Sequence, residues 1–397
     1  MRYSSDMANH VKTVEKDKFR TARRAGRTRT AVKTDRSASP GRAVAAIDRS
    51  PILVDRGPIP TATGVAHQLG WLEREAALDG TPLSVGERGL RPQVTASGDL
   101  RATSPGAPPR ESLLRAAAPP VHLWEGDSTQ ALWERSEGRA TRLIGLTWVE
   151  TSQAVVALPD AGIDGPERLA GRRLALPFDA TAPLDLHRAA ASRGLHAALA
   201  LAGIFPGEVE HVDVDASAAL GADPYAAELQ ALASGDVDAI FVAGAAGAAA
   251  AARIGAVTVA DVGRHLDPAV RTSGITPAAI VADAELLERE PNLVVRLLAV
   301  LLRAGAWAQL NAVTASELVA VETGTSVRDV RAAHGRNWPD QLHVDLSHRK
   351  LDALRAHHDF LVTHGFLPRA VDLGAWIDPR PLGIARELLA AERVAWV

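Results

Sequence analysis

The sequence contains no cysteine. That excludes disulfides, thiolate metal sites and cysteine nucleophiles, and it leaves the redox compartment open. Aromatic residues are only 4% of the 397, so Ala and Leu must build most of the core. Both are strong helix formers, and a helix-rich interior is expected. No apolar run approaches the roughly 18 residues expected of a membrane helix. The longest candidate, 293–302, is interrupted by Arg296 and reads as a core helix, so no membrane span is expected. The basic N-terminal stretch is not followed by the apolar segment of a secretory signal. This favours a cytoplasmic chain, or an extracytoplasmic one if the translation start is mis-assigned.

Several catalytic patterns are also missing. There is no Gly, four residues, Gly-Lys phosphate loop, no His-Glu-x-x-His and no Gly-x-Ser-x-Gly. Neither a cofactor nor a catalytic residue is expected. His343, His348, His357, His358 and His364 lie close in sequence. Their spacing does not put them on one helix face, so they read as ordinary helix histidines and no metal site is expected.

What the sequence does contain is unevenly distributed. Residues 1–50 carry a formal +8 and residues 51–397 carry −11. The first segment has no apolar periodicity and reads as a disordered basic tail. The acidic remainder argues against nucleic acid as its partner. Residues 51–56 suit a buried strand and 63–77 an amphipathic helix, while 78–120, rich in Gly and Pro, read as loops and short strands. From Val121 onward, strand patterns (141–148, 153–158, 174–177, 209–214, 237–242, 256–262) alternate with helical ones (128–137, 185–202, 225–234 and from Ala245). That alternation predicts an α/β fold on mainly parallel sheets. Beyond Thr272 the pattern is mostly helical.

Two motifs carry a resemblance. Leu169-Ala-Gly-Arg-Arg-Leu-Ala-Leu-Pro177 and Leu232-Ala-Ser-Gly-Asp-Val-Asp-Ala-Ile240 are similar, in order and spacing, to segments of type II periplasmic-binding-protein-like proteins. The stretches 255–263 and 287–297 continue the similarity. Within that superfamily the chain resembles the branch of sulfonate-, nitrate- and thiamine-precursor-binding proteins, near the hydroxybiphenyl sulfinate desulfinases. The resemblance implies a two-lobed fold, each lobe a mainly parallel sheet flanked by helices. Residues 51–150 would begin lobe one, 151–262 would form lobe two, and 263–397 would return to lobe one and add C-terminal helices. The desulfinases carry a cysteine in an Asn-Cys-Pro-Val-Pro loop. Here the matching loop is Arg56-Gly57-Pro58-Ile59-Pro60, and Gly57 takes the cysteine's place. The arginine and histidine of that chemistry fall near Trp124 and Leu114, so all three residue types are missing.

In such folds ligands sit beyond the carboxyl ends of strands, where helix N-termini favour anions. Five segments meet that description. They nominate Gly57, Pro58 and Thr61; Thr147 and Trp148; Asp179 and Thr181; Gly244; and Thr272 with Ser273. The resulting expectation is a substrate-binding protein for a small organic anion, sulfonate- or carboxylate-like, serving an ABC permease. The competing expectations are an enzyme on the same scaffold without cysteine chemistry, and a cytoplasmic ligand sensor.

Overall fold

The computed structural model describes residues 51–57, 60–87, 121–217, 223–323 and 326–394. The expected basic tail, the segment 88–120, Leu114 and Pro58 therefore lie outside the described residues.

Ten strands fall into two groups. The first is a five-stranded sheet in the order β2 (Leu83–Glu87), β1 (Ile52–Arg56), β3 (Val121–Gly126), β10 (Ala278–Asp283), β4 (Thr141–Thr147). In it β1 pairs in parallel with β2 and β3, while β10 runs antiparallel to β3 and β4. Four strands thus point one way and β10 points back. The second group joins β8 (Ile240–Ala243), β5 (Gln153–Ala157) and β9 (Val257–Asp261), with β5 antiparallel to both neighbours. A parallel pair, β6 (Arg173–Phe178) and β7 (Glu210–Asp215), adjoins it through the parallel bridge Leu174–Ala239. The resulting order, β7-β6-β8-β5-β9, repeats that of the first sheet, again with the fourth strand reversed.

Both faces of each sheet are covered. Along β10, Ile280 and Ala282 enter one apolar cluster, and Ala279 and Val281 enter another on the opposite face. In the second sheet Val155, Leu174 and Phe241 face one layer, while Val156, Ala175, Ile240 and Val242 face the other. Burial on both sides explains why these strands read as continuous apolar runs.

It also explains two departures from the sequence reading. Ala278–Asp283, in the region read as mostly helical, is a strand buried from 278 to 282 and paired on both sides, by β3 and β4. Its Ala-rich, non-alternating pattern cannot be told from a helix by periodicity. The expected helix 63–77 is two helices, Ala62–Gln68 and Trp71–Ala77. The break falls at Gly70, whose φ of 66° lies in the left-handed region that glycine adopts without strain.

The 20-residue helix Pro291–Leu310 is long and apolar enough by composition to cross a bilayer. Here it is the core helix of the first sheet: Leu293, Val294, Leu297, Leu298 and Leu301 are buried in the largest apolar cluster. Arg296 leaves that face and bonds Glu75 at 2.8 Å.

Candidate functional site

The loops after β1, β3 and β4 meet around one buried carboxylate. Glu125, at the end of β3, is fully buried. Its oxygens accept from the backbone N–H groups of Ala62 (3.3 Å) and Thr63 (2.8 Å), and from the Thr147 hydroxyl (2.9 Å). Gly57 donates its N–H to the Glu125 carbonyl at 2.7 Å. Thr61 caps the same helix start, accepting from Gly64 N–H at 2.8 Å. Gly57, Thr61 and Thr147 are thus brought together, but the position a ligand anion would take is filled by the chain's own carboxylate. Burial pushes the Glu125 carboxyl above its usual range, opposed by these hydrogen bonds.

Two other helix starts are filled in the same way. Asp127 caps the Ser128–Ser136 helix, its carboxylate accepting from Thr129 N–H at 2.7 Å. Gly274 lies against that carboxylate, and any side chain there would overlap it. Gly274 also accepts from the Ser128 hydroxyl at 2.9 Å. Asp185 caps the Leu186–Leu201 helix, accepting from Arg188 N–H (2.8 Å) and from Asp179 N–H (2.7 Å). Thr181 is exposed, and its hydroxyl donates to Asp179 at 2.6 Å. Asp179 and Thr181 form a turn tied to the start of the Leu186–Leu201 helix through Asp185.

The Gly244–Arg253 helix differs, since no side chain caps it. Gly244 has φ of 68° and donates to Ser152 O at 2.8 Å, and the Ser152 hydroxyl donates back to Gly244 O at 3.0 Å. Thr151 is buried beside it. Its Oγ1 has no hydrogen-bond partner and lies 3.7 Å from where a Gly244 side chain would begin.

The two crossings between the sheets, 147–153 and 268–277, are fastened to each other. Thr276 Oγ1 donates to Val149 O (3.1 Å), Gln153 Nε2 donates to Arg271 O (3.1 Å), and Arg271 pairs with Glu150. Thr272 is spent internally, donating to Pro268 O at 3.0 Å. Beside it, Ser273 Oγ, Trp148 Nε1 and Arg271 Nε are buried without a hydrogen-bond partner. With Thr151 Oγ1 they make four unsatisfied groups, all able to donate, on two adjoining segments. Native interiors rarely leave such groups unpaired, since each costs about 1–3 kcal/mol. An ordered water or a bound acceptor would satisfy them.

Glu125, Thr151 and Arg271 were not nominated by sequence. Thr151 was in principle findable, because it precedes a strand in the first crossing. Glu125 was not, because only the folded register of β3 carries it to a helix start some sixty residues earlier. The histidines scatter. His357 is buried against Thr129 Oγ1 (2.9 Å), His358 accepts from Val371 N–H (3.0 Å), and the His364 ring meets His196 at 4.4 Å between centroids. Among the described residues no three His, Asp or Glu side chains are placed to hold a metal ion.

No protein-family model matches this sequence, and no curated protein matches it. Solved structures do. The desulfurization enzyme DSZB aligns with a TM-score of 0.62 at 23% identity, over 85% of this chain and 99% of that one. The periplasmic aliphatic sulphonate binding protein SsuA from Escherichia coli aligns at 0.57 and 15%, over 83% and 92%. The chain has a periplasmic-binding-protein-like fold. The periplasmic nitrate-binding protein NrtA from Synechocystis PCC 6803 shares this two-lobed binding-protein fold more distantly, at 0.52 and 9% identity over 86% and 89%. With a glycine at position 57 and no cysteine anywhere, the chain has the scaffold in common with DSZB and lacks a thiol.

Proposed function

We propose that this chain is a substrate-binding protein that holds a small organic anion, sulfonate- or carboxylate-like, between its two lobes and delivers it to an ABC-type permease. Lobe one is residues 51–150 with the return at 263–397, and lobe two is 151–262. On this reading the chain works outside the cytoplasm, as the names of SsuA and NrtA state for those proteins. The observation that carries the proposal is the group of unpaired buried donors on the two crossings: Trp148 Nε1, Thr151 Oγ1, Arg271 Nε and Ser273 Oγ. Donors without acceptors suit an anion, and segments that join two lobes are where closure would enclose it.

The chemistry available there is reversible. A serine or threonine hydroxyl needs an adjacent base to become a nucleophile, and no histidine bonds Thr151 or Ser273 among the described residues. The test is thermal denaturation of the full chain with a panel of sulfonates, sulfinates and carboxylates, followed by mass spectrometry of the recovered compounds. A ligand at a hundred times its Kd should stabilise the fold by about 2.7 kcal/mol and be recovered intact. Consumption of any compound by the wild type, abolished in Thr151→Val, would replace binding with catalysis. Absence of stabilisation by every anion would remove the anion reading altogether.

A further inference from the structure

Resting on that reading, the structure assigns the ligand's acidic group to two guanidinium groups beside Trp148, rather than to the three helix starts that carboxylates already fill. We infer that Arg271 and Arg349 are the anion-reading pair, and that Arg349 is the residue that sets charge selectivity.

The first support is elimination. Of the four helix starts described above, three are already occupied by Glu125, Asp127 and Asp185, and the fourth, at Gly244, has no side-chain cap and brings no charged side chain of its own. A ligand carboxylate or sulfonate placed at any of the first three would meet a resident carboxylate within hydrogen-bonding range, and like charges so close are strongly repulsive in a buried setting.

The second support is what stands over the indole. The guanidinium carbons of Arg271 and Arg349 lie 5.9 Å and 4.9 Å from the Trp148 ring centre. Two like charges against one ring repel each other, and one carboxylate is available to offset them: Glu150 pairs with Arg271. Arg349 is exposed and has no carboxylate partner among the described residues. Its neighbour Lys350 is committed to Asp345 (3.0 Å) and to the carbonyls of His343 and Leu146. Arg349 is therefore a guanidinium without a carboxylate partner among the described residues, beside a buried indole N–H and a guanidinium Nε that both lack acceptors.

The third support is chemistry. A guanidinium presents donors in a planar fork that matches the paired oxygens of a carboxylate or sulfonate. Arg271 is fixed by Glu150 and offers its free Nε from a buried position. Arg349 reaches in from the surface, so it can follow the ligand as the lobes close. The ligand class is a monoanionic organic acid; an ammonium compound would meet the unpartnered Arg349 guanidinium.

The experiment measures calorimetric affinity of the full chain for benzenesulfonate, benzoate and, as a cationic control, choline, at two salt concentrations. Variants are Arg349→Ala, Arg349→Lys and Arg349→Glu, all at an exposed position that leaves the core intact. The expected result is at least a tenfold weaker benzenesulfonate affinity in Arg349→Ala, partial rescue in Arg349→Lys, and a shallower salt dependence in Arg349→Ala than in wild type. Wild-type binding of either acid with Arg349→Ala within twofold of it would overturn this assignment while leaving the anion-binding reading in place. Choline binding in the wild type with neither acid bound would overturn both.

Discussion

Glu125 is a buried carboxylate that the fold holds at a helix start, and its energetics can be separated by substitution. Glu125→Ala leaves the Ala62 and Thr63 N–H groups and the Thr147 hydroxyl without their acceptor, and should cost about 1–3 kcal/mol in urea unfolding. Glu125→Gln keeps one acceptor oxygen but turns an NH2 toward a donor that the other oxygen now serves, so it should also destabilise, by less than Glu125→Ala. A second pair of variants distinguishes ligand-facing groups from structural ones. Thr151 Oγ1 has no partner, so Thr151→Val should stabilise the unliganded protein by about 1 kcal/mol while weakening anion binding. A structural role would make both effects negative. These residues also mark where sequence reading stopped. Gly57, Thr61, Thr147, Trp148 and Ser273 could be nominated from strand ends alone; the fold brings the first three to Glu125 and leaves the other two on the crossings. That a carboxylate fills the first helix start, or that Arg349 comes to lie over Trp148 from some two hundred residues away, depends on tertiary register that local pattern does not encode.

At the scale of elements, strands and helices with clear period and end signals were legible from sequence: β4, β5, β6 and the helix closed by Gly203 fall close to where the pattern puts them. What failed was β10, whose Ala-rich interior gives no period, and the 63–77 segment, where one left-handed glycine overrides a continuous apolar stripe. Small residues on helices here mark close packing. Gly194, in the Leu186–Leu201 helix, rests on the ring of Phe241 in β8, and a methyl group there would overlap it. Alanine gains about 1 kcal/mol of helix propensity over glycine, but overpacking a rigid core costs typically about 1–3 kcal/mol. Gly194→Ala should therefore lower the melting temperature, and Gly194→Ala with Phe241→Leu should recover part of the loss.

For the whole molecule, acid is the vulnerable direction. His357 is fully buried, and desolvation, with Arg193 and His358 nearby, holds its pKa down to about 3. His211 and His334 are lowered in the same sense, chiefly by burial. In the unfolded chain a histidine takes up its proton near pH 6.5. The unfolded state therefore binds more protons as pH falls below that value, and stability drops by up to about 1.4 kcal/mol per pH unit for His357 until its folded pKa is reached. Glu125 and Asp127, both raised by burial, act in the opposite sense: from their raised folded pKa down to the ordinary carboxylate value the native state takes up the extra protons, which offsets part of the histidine effect. Urea midpoints should fall between pH 6.5 and 5, and His357→Gln should flatten that slope.

The matching strand orders of the two sheets have a consequence for how the chain emerges from the ribosome. All strands of the second sheet lie within one uninterrupted stretch, from Gln153 to Asp261. The first sheet starts earlier but lacks β10, its penultimate strand, until residue 283 has been made. Until then β3 and β4 have no shared partner between them, because each pairs with β10. The lobe that begins first must therefore finish last. Nascent chains stalled so that residue 270 has just cleared the exit tunnel should protect 153–261 from protease while 52–147 stays cleavable, and protection of that earlier stretch should appear only once β10 and the core helix Pro291–Leu310 have both emerged.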